Sequence, residues 1–388
     1  MRHRHLIIVA GCVIALLPGC ASYRPAPISP VRNAAAIEAR SLGDGRLQKF
    51  VAAELGPSEP AAAWDLARLT LAALYYHPDL DIARARLGSA RAAVLTARQR
   101  PNPVLDTAAA FGTSAAAGAI PAGAAPLTIG PVINLIIETF DKRAYRTARA
   151  RHLAESARWD LATAGWHLRA GIRNALLDLW AAQARRRLMF RRLALQNDLV
   201  ALLERRFAAG AASSLDVARE RILRARLALS VRDVERALAD ARAQLATAIG
   251  IRLSALDGVA LSFDAFDRPA AAPAGFSAGE LRRRALTRRS DVAAALEAYE
   301  AAQSAAQLAI ASQYPDVVLS PGYKYDLGVD KYTLGPSLVL PIFNQNQGAI
   351  AEALAAREQA AARFTALQAR IIGEIDRAAA DYQASSAA

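Results

Sequence analysis

Residues 127–137 have the sequence LTIGPVINLII, and residues 332–342 have the sequence YTLGPSLVLPI. In both segments apolar side chains occupy every second position, and several of the positions between them hold Thr, Gly, Ser or Asn. This period of two is typical of a β-strand with one apolar face and one small or polar face. The second segment repeats the pattern of the first position by position, which indicates that the chain contains one structural unit twice.

A second strand precedes each of these segments. In the first half it is expected from Val104 to Thr113, and in the second half alternation from Tyr323 to Leu327 indicates it. Residues 114–126 form a turn-rich link in the first half, and residues 328–331 form a short one in the second. The sequence therefore predicts four strands, arranged as two hairpins.

An amphipathic helix leads into each hairpin. The spacing from Asp79 to Pro103 equals the spacing from Asp291 to Pro315. This part of the two halves therefore aligns without gaps. Between these positions the apolar residues recur at steps of three and four, as on one face of a helix. Proline lacks the N–H and restricts the preceding residue, so each helix is expected to end near its proline.

A long helical segment follows each hairpin, and in the first half it is expected from about Phe140 to Phe207. At about 1.5 Å per residue this arm measures roughly 100 Å, which is longer than a compact domain holds. Apolar residues at alternating steps of four and three predict an antiparallel coiled-coil hairpin. In the first arm these positions are Met189, Leu193, Gln196, Val200, Leu203 and Phe207, of which Gln196 is the one polar intrusion; after a break they are Leu227, Val231, Val234, Leu238, Ala241, Leu245 and Ala248.

The turn between the two arms is RFAAGAASSLDV, residues 206–217. Gly210 suits the positive φ that ends a helix, and Ser213 or Ser214 suits the N-cap of the next helix. This segment resembles the periplasmic turn of the TolC-like outer-membrane factors, and the resemblance extends over nearly all of residues 60–388. It implies a docking tip for a periplasmic adaptor protein; a plain helical turn without a partner is the alternative. The implied tip residues are Arg206, Phe207, Gly210, Ser213, Ser214, Asp216 and Val217.

The strands also predict an assembly, because four strands cannot close a barrel. Two copies would supply eight strands, whose interior side chains roughly fill, whereas three would supply twelve and leave a passage. The predicted fold is mainly α with a small β part: long antiparallel coiled-coil α-helical hairpins plus four transmembrane β-strands per chain, built from an internal duplication and assembled as a trimeric α/β-barrel channel. The edge of a soluble β-sandwich is the alternative for the strands.

The predicted organisation has five parts: a signal peptide at 1–19, a lipidated N-terminal linker at 20–59, a first repeat at 60–250, a linker at 251–278 and a second repeat at 279–388. The first repeat continues from Trp180 to Gly250, whereas the second stops shortly after Tyr382. We therefore expect the second repeat to be truncated within its long helix, and the assembled channel to gate or assemble poorly.

The N-terminus carries an export signal. Arg2 and Arg4 precede the apolar stretch from Leu6 to Leu17, which is typical of a signal peptide. Leu17-Pro18-Gly19-Cys20 resembles the bacterial lipobox, although Pro18 departs from its usual small or aliphatic residue. This predicts lipidation of Cys20; an ordinary secretory signal with an incidental cysteine is the alternative.

Composition and motifs argue against catalysis. Only 6% of residues are aromatic, and the long windows of Ala, Leu, Arg, Glu and Gln are typical of long helices. The net charge is +13, but the arginines are spread along helices and the chain has an export signal, so no nucleic-acid partner is expected. No H-x-x-H, C-x-x-C or phosphate-loop motif occurs. We expect no enzyme activity, no cofactor and no metal site.

The resemblance implies a passive outer-membrane conduit in a tripartite efflux system. Its expected partners are two further copies of the chain, a periplasmic adaptor, an inner-membrane pump of the RND type and outer-membrane lipid. The run LPIFNQNQG at 340–348 is similar to the strand-to-helix junction of lipidated members, including those that serve heavy-metal pumps. Heavy-metal or drug efflux is therefore expected. A nonfunctional truncated remnant and a structural coiled-coil lipoprotein without a pore are the alternatives.

Overall fold

The structure is a computed structural model that describes residues 22–56, 63–111, 127–267, 277–326 and 329–386. Long helices and one four-stranded antiparallel sheet make up the described chain. This confirms the predicted fold class, mainly helical with a small β part. The predicted signal peptide, Cys20 and the link at 114–126 lie outside the described residues.

The segment predicted as an N-terminal linker contains two helices, α1 (Pro30–Glu38) and α2 (Gly45–Leu55), followed by α3 (Leu66–Tyr76). Side chains of Ser29, Asp44 and Asp65 cap their first turns and satisfy N–H groups that lack helical partners. Leu47 and Val51, one helical turn apart on α2, are buried. Helix α2 therefore packs into the core, whereas α1 buries no residue.

The rest of the first repeat follows the predicted plan closely. Helix α4 (Pro78–Arg98) leads into β1 (Val104–Phe111), and β2 (Leu127–Ile137) leads into α5 (Lys142–Ala208). Helix α6 (Ser214–Ile249) returns along α5. The return arm ends beside the start of α4. A Cβ added at Gly250 would lie 3.4 Å from the Cα atom of His77, which shows how close the two segments are.

The segment between the repeats also packs on the first repeat. A 3-10 turn (Leu253–Leu256) and the short helix α7 (Asp264–Asp267) follow α6. Trp64 and Leu261 form an isolated parallel bridge, and Phe263 and Phe266 pack on the buried core. The described part of the predicted linker at 251–278 is therefore tied to the first repeat.

The second repeat comprises α8 (Ala278–Arg288), α9 (Ser290–Ala311), β3 (Val317–Asp326), β4 (Val329–Leu338) and α10 (Gln347–Ser386). The gap-free alignment of the two halves carries α3 onto α8 and α4 onto α9 to within one residue. Strand β4 ends four residues before the predicted Ile342. Its last pair is Leu338 with Val317, and the prolines beyond that pair, Pro315 and Pro341, have no N–H to extend the ladder.

The four strands form one sheet in the order β1-β2-β3-β4, with every neighbouring pair antiparallel. The β2–β3 pairing, for example Leu135 with Leu319, joins the hairpins of the two repeats. The largest core cluster lies among α2, α3, α5 and α6. Its members that are 0–1% exposed include Leu47, Leu69, Ile172, Leu176, Leu179, Leu245 and Ile249.

The coiled-coil seam between α5 and α6 is confirmed at its centre. Val200, Leu227 and Val231 are 1–6% exposed and lie on the predicted positions. Phe207, the last predicted position of the first arm, is 48% exposed because the chain turns immediately after it. Among the helices of the described ranges, none combines the length and the apolar character that crossing a bilayer requires.

Candidate functional site

The sheet has two chemically different faces. Residues directly opposite in an antiparallel pair point to the same face, so the strand registers assign each side chain. One face, here called the apolar face, includes Ile133, Leu135, Leu319, Tyr332, Leu334 and Leu338. The other, here called the polar face, includes Asp106, Thr128, Asn134, Ser320, Thr333 and Ser337.

The apolar face is largely uncovered within the described chain. Tyr332, Leu334 and Leu338 are 84%, 70% and 52% exposed. Tyr323 and Tyr332 lie side by side on this face at the hairpin end, with ring centroids 5.6 Å apart. A contiguous exposed apolar surface of this kind marks contact with lipid or another protein.

Hydrogen bonds connect the strands across the polar face. The Asn134 amide donates to the Asp106 carboxylate, and the Ser320 hydroxyl donates to Asn134 Oδ1 over 2.6 Å. Nearer the hairpin ends, Asp326 accepts from Thr128 Oγ1 at 2.9 Å and from Lys331 Nζ at 2.8 Å. Side-chain hydrogen bonds therefore link neighbouring strands on this face.

Both outer strands of the sheet have an unpaired edge. Within the ranges that the structure covers, β1 pairs only with β2, and β4 pairs only with β3. Their free N–H and C=O groups form a template for a further strand. Because β1 and β4 both have one side chain row on the apolar face and one on the polar face, pairing of β4 in one copy of the chain with β1 in another would extend both faces.

Each repeat turns from strand to helix through a strained backbone. Asp141 has a φ of 58° before α5, and Asn346, which occupies the equivalent position in the second repeat, has a φ of 65° before α10. Such positive φ angles are uncommon outside glycine. At each turn a side chain reaches the carbonyl of an equivalent helical residue: Arg146 Nε donates to Ala97 O at 3.1 Å, and Asn346 Nδ2 donates to Ala309 O at 2.8 Å.

A half-buried ion pair joins the two repeats at the base of the sheet. Lys142, the first residue of α5, donates to Asp316 Oδ1 at 2.7 Å and to the Tyr314 carbonyl at 2.6 Å. The Thr139 N–H also donates to Asp316, at 3.0 Å. Burial acts to raise the pKa of Asp316, but the hydrogen bonds from Lys142 and Thr139 outweigh it, and the pKa is lowered. Sequence reasoning missed this pair, because its members are far apart in the chain.

The predicted tip is a compact turn between the arms. Gly210 has a φ of 73°, its N–H donates to Phe207 O at 2.9 Å, and the Ala211 N–H donates to Arg206 O at 2.8 Å. These two backbone hydrogen bonds form a Schellman motif, which satisfies the last carbonyls of α5.

The N-cap of α6 is Ser213, and Ser214 is the first helical residue. The Ser213 hydroxyl accepts from the Asp216 N–H at 3.1 Å, and the Asp216 carboxylate accepts from the Ser213 N–H at 3.3 Å. The pKa of Asp216 is lowered by the hydrogen bond from the Ser213 side chain and then by that from its backbone. The reciprocal bonds form a capping box.

The tip residues differ in what they offer to a partner. Val217 is only 5% exposed, so it lies in the seam between the arms and supports the turn from within. Phe207 is 48% exposed and Leu215 is 75% exposed. Sequence reasoning did not single out Leu215, although the sequence carried a signal for it: apolar residues follow it at every seventh position.

That signal is a pair of exposed apolar rows on the outer surfaces of the arms. Leu188, Leu195 and Leu202 recur at every seventh position on α5, and Leu215, Ile222 and Leu229 recur in the same way on α6. These six side chains are 47–75% exposed. An apolar heptad repeat is the signature of helix packing in coiled coils. Both rows remain exposed among the described residues.

Polar bonds set the register of the two arms near the tip. Gln196, buried in the seam, donates through Nε2 to Glu220 Oε2 at 2.7 Å. Arg221 Nε donates to Glu204 Oε1 at 2.8 Å. The buried Gln196 contact restricts the arms to one alignment, because a shifted register would leave its amide unsatisfied, whereas the Arg221–Glu204 pair is exposed.

The described residues contain no group of three or more His, Cys, Asp or Glu side chains that could hold a metal ion. His77 accepts a hydrogen bond from the Asp79 N–H at the start of α4, and His152 lies 2.7 Å from Glu297. Both therefore have local structural contacts. The predicted lipidation site, Cys20, lies outside the part of the chain that the structure describes.

Residues 70–251 match the family model described as outer membrane efflux protein. The chain is 30% identical over 213 residues to the pyoverdine export outer membrane protein OpmQ of Pseudomonas aeruginosa, covering 53% of this chain and 43% of the relative. It is 27% identical over 296 residues to the cobalt-zinc-cadmium resistance protein CzcC of Cupriavidus metallidurans, covering 74% of this chain and 65% of the relative. The matches thus span less than two thirds of either relative's length.

A solved structure has the same architecture. The outer membrane protein VceC of Vibrio cholerae superposes with a TM-score of 0.65 at 23% identity, covering 82% of this chain and 79% of that one. At this level of identity the likeness establishes the fold, a helical arm structure joined to a small sheet.

Proposed function

Because the chain belongs to the outer membrane efflux protein family, we propose that it is a channel subunit of the outer membrane. It would act as a passive conduit for solutes that an inner-membrane pump delivers through a periplasmic adaptor. The observation that carries this proposal is the four-stranded sheet with one exposed apolar face, one polar face and two unpaired edges.

The sheet supports assembly as a homotrimer. Pairing of β4 in one copy with β1 in the next would close the sheet and satisfy both edges. Three copies supply twelve strands, enough for a passage, whereas the interior of an eight-stranded barrel is largely filled by side chains. The apolar face would then contact lipid and the polar face would line the passage, as in outer-membrane barrels.

The arrangement of aromatic residues supports the same orientation. Tyr323, Tyr325 and Tyr332 share the apolar face near the hairpin end. Tyrosines commonly lie at the level of lipid headgroups, where the ring contacts acyl chains and the hydroxyl contacts water. The opposite end of each strand leads to the helical arms, so the arms would extend into the periplasm.

The exposed rows on the arms support contact between copies below the membrane. In the proposed trimer, the row beginning at Leu188, together with Ile222 and Leu229, would pack against arms of neighbouring copies, and Leu215 at the tip would stay exposed. Burying one leucine side chain contributes about 1.5–3 kcal/mol. The helical arms would therefore continue the tube that the strands begin.

We propose that the tip contacts the adaptor through its exposed residues. Arg206, Phe207 and Leu215 lie at the end of the arms that is farthest from the sheet, and a well-capped turn holds them there. An aromatic residue, an arginine and an exposed leucine form a surface of the composition that protein interfaces favour. A turn without a partner is the competing interpretation, and substitution of Leu215 by Asp would distinguish the two by adaptor pull-down.

The transported solute is proposed from the two relatives. One is named for pyoverdine export and the other for cobalt, zinc and cadmium resistance. Either a divalent metal or a small organic compound is consistent with a water-filled polar passage. We favour heavy-metal or drug efflux with an inner-membrane pump of the RND type. Deletion of the gene should lower the tolerated concentration of the transported compound, and complementation should restore it.

Lipid anchoring through Cys20 completes the proposal and rests on the lipobox resemblance. Acylation would hold the N-terminal segment, with α1 and α2, at the periplasmic surface of the membrane. Intact mass spectrometry of the mature protein should find a chain that begins at Cys20 with attached acyl groups. A Cys20→Ser variant should lack them, whereas an unmodified mature chain would contradict the anchor.

The central test compares two charged substitutions that lie close together on β4. Leu334→Arg places a charge on the apolar face, at a cost of about 2–4 kcal/mol near the bilayer midplane. Ser337→Arg places the same charge on the polar face. The channel proposal requires the wild type to be a trimer in detergent that conducts in planar bilayers. Relative to the wild type, Leu334→Arg should lose insertion, and Ser337→Arg should insert with altered conductance.

The same experiment separates the channel from the rival functions. A wild-type chain that is anchored to membrane but does not conduct would indicate a structural coiled-coil lipoprotein or a nonfunctional remnant. Equal effects of Leu334→Arg and Ser337→Arg would contradict the assignment of the two faces to lipid and passage.

A further inference from the structure

A cavity of about 690 Å³ lies at the base of the sheet, where α4 ends and β2 leads into α5. Its lining combines basic and apolar side chains, and the residues that the following argument uses are Arg98, Arg100, Ile137, Asp141, Arg143 and Arg151. The channel proposal assigns no role to this cavity. Its volume is in the range of small-ligand sites.

The cavity is strongly basic. Its lining has five cationic side chains and two acidic ones, an excess of three positive charges. The ion pairs of Lys142 with Asp316 and of Glu138 with Arg146 account for two of these groups. Among the described residues, Arg98, Arg100, Arg143 and Arg151 make no hydrogen bond or ion pair, and Asp141 is the one unpaired carboxylate of the lining.

The chain geometry directs these charges to one place. Arg143 and Arg151 lie about two turns apart on one face of α5, with the buried Thr147 between them. Arg98 and Arg100 approach from the end of α4. The first turn of α5 has no side-chain cap, because Asp141 makes no capping hydrogen bond, and its N–H groups add to the positive potential.

The cavity also has an apolar rim. Ile136 and Ile137, which both line the cavity, are 37% and 51% exposed. Ile137 is the last residue of β2 and belongs to the apolar face. A basic cavity at the end of an apolar surface matches the two parts of a lipid molecule, an anionic headgroup and an acyl chain.

We propose that this cavity binds the phosphate of an anionic phospholipid headgroup, taken from the leaflet nearest the helical arms. Guanidinium groups bind phosphate oxygens through paired charge-assisted hydrogen bonds, and four arginines without partners supply enough donors for one headgroup. The inference rests on the proposed membrane position of the sheet. A free phosphate ion would use the arginines equally but would leave the apolar rim without a role.

The test uses the full-length protein in detergent and measures binding of short-chain phosphatidylglycerol by native mass spectrometry. Short-chain phosphatidylcholine and inorganic phosphate are the comparison probes. The test variant is Arg100→Gln with Arg143→Gln, and the matched control is Arg185→Gln with Arg191→Gln on the exposed arm. Loss of two charge-assisted contacts should weaken phosphatidylglycerol binding at least about tenfold.

We expect the wild type and the control to retain phosphatidylglycerol in preference to phosphatidylcholine, and the test variant to lose this preference. Far-UV circular dichroism should be the same for all three proteins. A double Arg→Lys variant at the same two positions should recover part of the binding, because it keeps the charge.

Equal retention of the two lipids by the wild type, or unchanged binding in the test variant, would overturn the proposal. Inorganic phosphate that binds as tightly as phosphatidylglycerol would overturn the assignment to a lipid. This measurement needs no conductance, so a chain that failed to conduct would contradict the channel proposal while leaving the lipid result to stand separately.

Discussion

Helices α3 and α8 occupy the same place in the two repeats but are held by different forces. In α3, Leu69, Ala72 and Ala73 are completely buried. In α8, no residue is buried. In the alignment of the two halves, Arg284 stands where the first repeat has Ala72, and Arg288 stands where it has Tyr76.

Ion pairs take the place of apolar burial in the second repeat. Arg282 pairs with Asp376, and Arg289 pairs with Glu374 at 3.1 Å, so α8 and the start of α9 are tied to α10. Exposed ion pairs contribute about 0.2–1 kcal/mol each, whereas a fully buried leucine contributes about 1.5–3 kcal/mol. The same helical arrangement is therefore held by a buried apolar core in the first repeat and by exposed ion pairs in the second.

The strongest test of this difference is loss of a core leucine. Leu69 on α3 is completely buried, so Leu69→Ala should lower the free energy of unfolding by about 2–5 kcal/mol. The matched change in the second repeat, Leu281→Ala, should cost less than about 1 kcal/mol, because α8 buries no side chain. Urea unfolding followed by circular dichroism measures both. Similar losses would contradict the contrast between the repeats.

Two glycines should respond in opposite directions. Gly250 has a φ of 84°, and a Cβ there would lie 3.4 Å from the Tyr76 carbonyl oxygen. Gly250→Ala should therefore destabilise the first repeat by about 1–2 kcal/mol. Gly373 lies inside α10, and nothing is within 4 Å of an added Cβ. Gly373→Ala should stabilise the protein by about 0.5–1 kcal/mol, which a shift of the thermal midpoint would show.

The ion pair that joins the repeats should make stability depend on pH. Asp316→Asn removes a charged acceptor of Lys142, and we expect a loss of about 1–3 kcal/mol at neutral pH. The pKa of Asp316 is lowered in the folded chain, so its contribution is present above its ordinary pKa and is lost as the pH falls through the folded pKa. Wild type and variant should converge in stability at strongly acidic pH. A pH-independent difference would contradict this.

The smallest effect is expected for the pair Arg282 and Asp376, whose side chains are 41% and 45% exposed. A double-mutant cycle of Arg282→Ala and Asp376→Ala should give a coupling of about 0.2–1 kcal/mol that high salt removes. A coupling that persisted in high salt would show that the second repeat is held more firmly than its exposure indicates.

Sequence reasoning was most accurate where one local period dominates. The predicted helix from about Phe140 to Phe207 is Lys142–Ala208, and the segment of period two at 127–137 is β2. Long-range contacts are not encoded by such a period. Within residues 20–59, predicted as a linker, Leu42, Leu47 and Val51 pack into the core, and Val217, predicted as a tip residue, is 5% exposed.

The sequence by itself determined the repeat, the positions of the strands and arms, and the chemistry of each strand face, because these follow from the spacing of apolar residues along the chain. Only the tertiary structure decided that β2 pairs with β3, that Lys142 binds Asp316, and that four arginines surround one cavity. Such contacts join residues far apart in sequence, and no local period encodes which distant partner will satisfy a charge or a strand edge.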